Sequence, residues 1–374
     1  MFGAANLVPA NAFTDVTIYS FPKSDLLATT PTASAMTRFP IVGLNSPNSR
    51  GFSVQPAVDF GPSDGRAVLL ATDGAVTARL RRTNILGAGA AAATLSPTPS
   101  TAINTAALST VPTADQPGNK ANLNTGDTRF SSNVVEVGDS LWAVRGTGLD
   151  GRAAIRWYEI DEVTNVILQT GTISDLNRSY YFPSIAVNAF GDVLIGASGS
   201  SATEFVSTFA FIGVTAGDVT TFGSEILLKA GVDDYERLDG SGRNRWGDYS
   251  ATVLDPTNRF GFWTFQEFVS GDNDWSVQIT NIVVAITGDY NRDGFVDAAD
   301  YTIWADQFGQ TGPAVASDGN NDGVVDAADY TIWADHFGEG TPPPPPISGV
   351  NVPEPKALAP VAMVFGCLLR RRRR

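Results

Sequence analysis

The chain has 374 residues, with 39 acidic and 25 basic side chains and a formal net charge of −14. Its apolar fraction of 43% is enough to bury a core, which excludes wholesale disorder. The acidic balance argues against nucleic acid as a partner, because phosphate binding needs a basic face. With one His, His336, and one Cys, Cys367, the chain cannot form an internal disulfide, a zinc cluster or a His-dependent catalytic triad in its main body.

Residues 1–12 carry no charge and no long apolar run, so no complete signal peptide is visible. Ala10-Asn11-Ala12 is typical of the end of a signal-peptide cleavage site. We therefore interpret residues 1–12 as the remnant of a signal peptide whose start is truncated or misassigned.

Residues 13–286 predict a mainly β body, because short alternating runs are split by Gly, Asp, Asn and Pro. Repeats of about 50–75 residues, each with up to four strands, predict a β-propeller of about five or six blades. A two-sheet sandwich is the alternative architecture. Residues 87–125 contain no aromatic side chain and predict a long loop. Strand–turn–strand patterns recur at 55–74, 130–148, 182–201 and 246–268.

The last of these patterns also carries a resemblance. Residues 243–268 resemble a segment that recurs in secreted bacterial propeller proteins of the sialidase-like type, and the resemblance implies a fold more than an activity. The matching residues are Arg245-Trp246-Gly247-Asp248-Tyr249-Ser250, Asp255-Pro256 and Phe262-Trp263.

Polar and aromatic side chains near the start of the hairpins predict a ligand site at one mouth of the propeller channel, where innermost strand ends converge. Such a cluster suits sugar binding, and packing within the blades is the alternative role. A glycosidase needs only two suitably spaced carboxylates, so sequence alone assigns no catalytic residue. The predicted ligand-binding residues are Arg129, Tyr180, Tyr181, Arg245, Trp246, Asp248 and Tyr249.

Residues 288–338 hold a densely acidic tandem duplication, in which 288–309 and 317–338 match at 17 of 22 positions. Each copy places oxygen-bearing side chains at positions 1, 3, 5, 9 and 12 of a loop, with Gly294 or Gly323 at position 6. This is the EF-hand pattern, in which hard oxygens and one backbone carbonyl at position 7 surround calcium. The predicted ligands of two calcium ions are Asp289, Asn291, Asp293, Phe295, Asp297 and Asp300, and Asp318, Asn320, Asp322, Val324, Asp326 and Asp329.

One helix is predicted after each loop, since Tyr, Trp and Phe recur at spacings of three and four before Phe308-Gly309 and Phe337-Gly338. Paired units of one calcium loop and one helix ending in Phe-Gly resemble type I dockerin domains of the form found on secreted planctomycete-like proteins. The resemblance implies docking to a cohesin-like protein, often in polysaccharide-degrading assemblies. It places the recognition face around Ala298-Ala299 and Ala327-Ala328.

The C-terminal region has the pattern of a linker followed by a sorting signal. Residues 341–351 form a Pro-rich linker, which predicts a stiff extended spacer. Residues 352–374 contain Val352, Pro353, Glu354 and Pro355, then a short apolar run and five terminal arginines. This order resembles a PEP-CTERM sorting signal, and it implies processing by an exosortase-type enzyme and membrane contact only through the tail.

The sequence thus predicts a secreted protein sorted to the cell surface. Our main hypothesis is a noncatalytic binding or assembly protein associated with polysaccharides or extracellular matrix. The alternative is a carbohydrate-active enzyme, a hydrolase or lyase acting on O-glycosyl compounds in polysaccharide catabolism. Two close carboxylates, or three Arg around a Tyr, would favour the enzyme.

Overall fold

The computed structural model describes residues 2–340, apart from 9–11, 44–49, 62–63, 74–75, 91, 189–190, 217, 249, 257–259, 285, 292, 313–314 and 321. The Pro-rich linker and the predicted sorting signal therefore lie outside the described residues. Within the described chain, 21 strands accompany three short helices, which confirms the prediction of a mainly β protein.

An N-terminal sheet comes first. It is antiparallel, with the order β1-β2-β3, and its pairing runs from Phe2↔Tyr19 to Asp15↔Gly43. Most of the predicted signal-peptide remnant is thus strand here, and its assignment as a remnant stays a prediction. The elements are β1 (Phe2–Val8), β2 (Ala12–Ser20), α1 (Lys23–Leu26) and β3 (Thr37–Gly43).

Two four-stranded antiparallel meanders follow, and they join into one sheet because their first strands pair in parallel at Ala57↔Val134. The first meander is β4 (Phe52–Asp59), β5 (Arg66–Thr72), β6 (Arg79–Leu86) and β7 (Thr94–Asn104). After the short β8 (Leu123–Asn124), the second meander is β9 (Val134–Val137), β10 (Ser140–Leu149), β11 (Arg152–Asp161) and β12 (Ile167–Ile173).

The third and fourth meanders complete the β body. The third is β13 (Ser179–Val187), β14 (Val193–Ser201), β15 (Glu204–Ala216), β16 (Val219–Phe222) and β17 (Ile226–Lys229), with β16 and β17 both paired to β15. The short β18 (Asn244–Arg245) pairs in parallel with β8. The fourth is β19 (Ala251–Leu254), β20 (Gly261–Gly271) and β21 (Asp274–Val283).

The meanders are packed side by side, and the first three bury residues on both of their faces. Their first strands β4, β9, β13 and β19 contact one another in that order. Because side chains alternate along a strand, Leu141 of β10 is buried against the first meander, and its neighbour Trp142 is buried against the third. This side-by-side succession of meanders differs from the two stacked sheets of a sandwich, and the propeller stays a prediction.

The prediction of a long loop over 87–125 is partly wrong, because β7 lies inside it and is the outer strand of the first meander. The sequence of β7 is mostly small and polar, so it lacks the alternation of apolar and polar residues that indicates a strand. Its Ile103 is nevertheless fully buried against the second meander. Pairing with β6, at positions such as Leu80↔Ile103, fixes this segment as strand.

The acidic duplication folds into two matching loop–helix units with α2 (Ala298–Gln307) and α3 (Ala327–Asp335), so the predicted helices are present. Asp297 and Asp326 cap the helices, and each takes part in a reciprocal capping box. The indole of Trp304 donates to the backbone oxygen of Asp326 over 2.9 Å, and Trp333 donates to that of Asp297 over 2.8 Å. The two copies therefore interlock.

None of the helices in the described part of the chain has the length and apolar character needed to span a membrane.

Candidate functional site

A polar cavity of about 330 Å³ opens where β4 and β13 meet the loops before β9 and β19. Its wall combines hydroxyl, amide, carboxylate and guanidinium groups with two aromatic rings, which is the mixture that a hydroxyl-rich ligand requires. The lining residues that matter here are Ser53, Asp127, Arg129, Phe130, Phe182, Arg243, Arg245 and Asp248.

Three arginines line this pocket, and each is held by a carboxylate. The shortest distances between guanidinium nitrogen and carboxylate oxygen are 2.7 Å for Arg129–Asp127, 2.8 Å for Arg243–Asp239 and 2.6 Å for Arg245–Asp248. Ion pairs exposed to this degree contribute little to stability. They do hold the guanidinium groups in defined orientations at the pocket wall.

The backbone around the pocket is strained at two residues, and serine side chains hydrogen-bond to it. Ser53 and Phe182 both adopt left-handed conformations, with φ of 53° and 50°. Such a conformation is a genuine outlier for a bulky residue, and strain of this kind clusters at functional sites. The Ser250 hydroxyl donates to the Phe182 carbonyl over 2.6 Å, and the Ser53 hydroxyl donates to the Phe130 carbonyl over 2.9 Å.

A second carboxylate stands next to Asp248. Glu267 is half-buried on β20, and its carboxylate lies against the backbone of Gly247 in the loop that carries Asp248. Burial raises the pKa of Glu267 above its ordinary value, and the charge of Asp248 raises it further. The sequence did not single out Glu267, because a charged residue between apolar residues of a strand is usually a solvent-exposed side chain.

Of the seven predicted ligand-binding residues, three line the pocket: Arg129, Arg245 and Asp248. Tyr249 lies outside the described residues. The remaining three do not line it, so the prediction that all seven share one mouth needs correction.

Tyr180, Tyr181 and Trp246 are at most 3% exposed. Because side chains alternate along β13, Tyr180 turns toward the second meander, where it lines another cavity of about 590 Å³ and donates to Glu225. Tyr181 turns the other way into a buried cluster with Trp246 and donates to the Ser200 hydroxyl over 3.0 Å. Burial raises the pKa of both tyrosines.

The two acidic loops share one hydrogen-bond pattern. Asp289 accepts the backbone N–H groups of Asp293 and Gly294 at 3.1 and 2.8 Å, and Asp318 accepts those of Asp322 and Gly323 at 3.1 and 2.9 Å. Both loops therefore form the same turn, with glycine in the left-handed conformation at position 6 (φ 91° and 87°).

The donor set of each loop fits calcium. Asp300 and Asp329 at position 12 are fully buried carboxylates. Burial raises the pKa of Asp289, and the nearby charges of Asp300 and Asp293 add to the effect. Within the described residues, however, no three acidic, His or Cys side chains already form a metal-binding group. The calcium sites therefore stay a prediction.

No protein-family model and no curated protein matches this chain. Solved structures show distant likenesses. The subtype N10 neuraminidase-like protein of A/little yellow-shouldered bat/Guatemala is 10% identical over 73% of this chain and 75% of its own, with a TM-score of 0.33. The α-L-arabinanase of Penicillium chrysogenum is 8% identical over 72% and 85%, with a TM-score of 0.33. Likenesses at this level carry no inference about fold or activity.

Proposed function

We propose that the β body is a carbohydrate-active propeller that hydrolyses a glycosidic bond in the polar pocket. The observation that carries the proposal is a pocket lined by Asp248 and three oriented arginines, with the Glu267 carboxylate against the backbone of Gly247, the residue before Asp248. Glycoside hydrolysis needs one carboxyl group that keeps its proton and a second that is ionised. The raised pKa of Glu267 suits the first role, and Asp248, which lines the pocket, is the candidate for the second.

In this proposal Glu267 donates its proton to the oxygen of the leaving sugar. A water molecule attacks the anomeric carbon, and Asp248 accepts the proton that the water loses. Arg129 and Arg243 bind and orient the sugar through its oxygen atoms. Activity then falls as the pH rises through the raised pKa of Glu267, because the acid loses its proton.

The test is a screen of the full chain for the release of reducing ends from a panel of plant and microbial polysaccharides. We expect Glu267→Gln and Asp248→Asn each to lower the rate at least about a hundredfold, as removal of an acid or base does, and to leave glycan binding intact. Asp274→Asn is the matched control, because this exposed carboxylate on β21 is not among the residues that line the pocket. A wild-type protein that binds glycans but releases no reducing ends would contradict hydrolysis.

That outcome would support the second candidate, noncatalytic glycan binding. Each of the three pocket arginines is paired with a carboxylate, which holds its guanidinium group in a fixed orientation. Such a fixed set of hydrogen-bond donors and acceptors suits glycan binding without a reaction. A glycan array probed with the full chain identifies the ligand in either case. Arg129→Gln should then weaken binding without a change in fold.

We propose separately that residues 288–338 bind two calcium ions through the twelve predicted ligands. Four loop carboxylates repel one another without a cation, so calcium should order this module. Titration of the full chain with calcium should show two sites by calorimetry, and Asp289→Asn should remove one of them. Unchanged heats and an unchanged circular dichroism spectrum on calcium addition would contradict the proposal.

We propose also that this module docks a cohesin-like protein and that the chain is secreted and retained at the cell surface through its C-terminal signal. The duplication and its two matching turns support the module. Capture from the host's secreted fraction, with and without a chelator, tests docking. Mass spectrometry of the mature C-terminus tests cleavage at Val352-Pro353-Glu354-Pro355.

A further inference from the structure

Two arginines lie beside each other on the second meander, and neither is among the residues that line the polar pocket, although Gly146, next to Arg145, is. Arg145 of β10 and Arg156 of β11 are direct cross-strand partners, so their side chains share one face of the sheet. It is the face that packs toward the first meander, since Tyr158 and Ala143 on the same face belong to that contact. Arg145 is only 1% exposed, and Arg156 is half-buried.

The hydrogen-bond partners of Arg145 are neutral. Its Nε and Nη2 donate to the Tyr158 hydroxyl over 3.1 and 2.9 Å, and Nη2 also reaches Thr105 Oγ1 and the Thr77 carbonyl, both at 3.3 Å. Among the described residues, neither Arg145 nor Arg156 forms an ion pair. In the same meander contact, by comparison, Glu162 pairs with both Arg66 and Arg82.

Like charges directly opposite on neighbouring strands destabilise a sheet, and a buried charge is costly unless it is paired. Burial lowers the pKa of Arg145, and the charge of Arg156 contributes in the same direction. The two guanidinium groups therefore place two positive charges between the first and second meanders with no carboxylate paired to either among the described residues. The Tyr158 ring, whose centroid lies 5.2 Å from the Arg145 guanidinium carbon, stabilises one of them through a cation–π contact.

Two hydrogen-bond donors near the arginines, the Arg156 Nε–H and the Tyr158 hydroxyl, have no acceptor among the described residues. The Nε–H of Arg156 is buried and has no hydrogen-bond partner among the residues that the structure describes. The Tyr158 hydroxyl is seen among the described residues only as an acceptor from Arg145, which leaves its own proton to donate. A buried donor left unsatisfied costs about 1–3 kcal/mol.

We infer that Arg145 and Arg156 bind a tetrahedral oxyanion, a sulfate or phosphate group, between the first and second meanders. A doubly charged anion balances the two guanidinium charges. Its oxygens accept the Nε–H of Arg156 and the Tyr158 proton, and the planar fork of Arg156 matches such oxygens. The inference does not depend on the function proposed for the pocket.

The experiment is thermal unfolding of the full chain in sodium sulfate, sodium phosphate and sodium chloride at equal ionic strength, with calcium absent. We expect the melting temperature in a saturating tetrahedral anion to exceed that in chloride by about 3 °C, because a ligand that binds only the folded state stabilises it. A rise in sulfate alone identifies a sulfate group as the ligand. A rise in phosphate alone identifies a phosphate group.

Arg156→Gln separates binding from the general salting effect of sulfate. In chloride this variant should melt no lower than the wild type, since it removes the repulsion from Arg145. In sulfate or phosphate it should lose the additional rise. Arg152→Gln on the same strand should keep it. An equal rise in wild type and Arg156→Gln would overturn the inference, and Arg156→Lys should restore only part of the effect.

Discussion

At the scale of single residues, the proposed acid Glu267 occupies space that is open because residue 247 is glycine. A Cβ atom at Gly247 would overlap with the Glu267 carboxylate. The backbone of Gly247 is not in the left-handed region, so the position itself tolerates alanine. The carboxylate has room only because the loop carries no side chain there.

Gly247→Ala should therefore displace Glu267 without removing any polar group. We expect a loss of hydrolysis of about a hundredfold, the usual contribution of a general acid, with a change in unfolding free energy below about 1 kcal/mol. Steady-state rates and urea unfolding on the same preparations check this. Gly240→Ala, where a Cβ meets no atom within 4 Å, is the control. Full activity in Gly247→Ala would place the acid elsewhere.

At the scale of elements, the contact between the first and second meanders contains a buried ionic cluster. Glu162 is 1% exposed and pairs with Arg66 and Arg82, and Glu136 approaches Arg66 to 3.4 Å. Burial, followed by the charge of Glu162 and a smaller contribution from Asp59, raises the pKa of Glu136 from 4.5 to about 7. The folded protein thus holds a proton here that the unfolded chain releases.

Stability should consequently fall with rising pH. An acid with a raised folded-state pKa stabilises the fold below its unfolded pKa near 4.5, and this stabilisation is lost as the pH passes through about 7. We expect the melting temperature to be a few degrees lower at pH 8 than at pH 5. Glu136→Gln, which resembles the protonated form, should flatten this slope, and an unchanged slope would show that other groups cause it.

The contact between the third and fourth meanders is polar at its centre. Ser184 and Thr252 hydroxyls lie 2.8 Å apart, and Gln266 donates to Ser184 over 3.0 Å and to Thr264 over 2.8 Å. All four side chains are fully buried. This cluster leaves no space beside Gly196 of β14, where a Cβ would overlap with Gln266 and Thr264.

Gly196→Ala should accordingly destabilise the body by about 1–3 kcal/mol, the usual cost of overpacking a filled core. Chemical denaturation measures the loss. Gly271→Ala at the end of β20, where a Cβ meets nothing within 4 Å, should stay within about 0.5 kcal/mol of the wild type. Equal stability of the two variants would mean that this contact is loosely packed.

At the scale of the whole molecule, the four meanders should unfold together, because consecutive meanders bury apolar residues against one another. Trp142 is 3% exposed in the contact between the second and third meanders and stacks on Trp157 at a centroid distance of 6.2 Å. Trp142→Ala should cost about 3–5 kcal/mol and lower the midpoint of the entire β body. Coincident fluorescence and circular dichroism transitions check this, whereas separate transitions would show independent meanders.

The sequence by itself determined the features that depend on local order along the chain. Alternation in 13–286 indicated strands, and aromatic spacing after each acidic loop indicated α2 and α3, because these periods follow from local backbone geometry. The order of carboxylates also predicted calcium loops. The three pocket residues Arg129, Arg245 and Asp248 could be found because they lie at hairpin entries.

Only the tertiary structure decided which side chains meet. It separated Tyr180 and Tyr181 from the pocket, since neighbouring positions of β13 face opposite sides of the sheet. It brought Glu267 close to Asp248 and set Arg145 opposite Arg156, with no carboxylate paired to either arginine in the part of the chain that the structure describes. Such contacts join residues that are distant in sequence, through strand register and the packing of one meander on the next. The pKa of a carboxyl group and the affinity for an anion both depend on burial and on distances to other charges, which no local sequence pattern encodes.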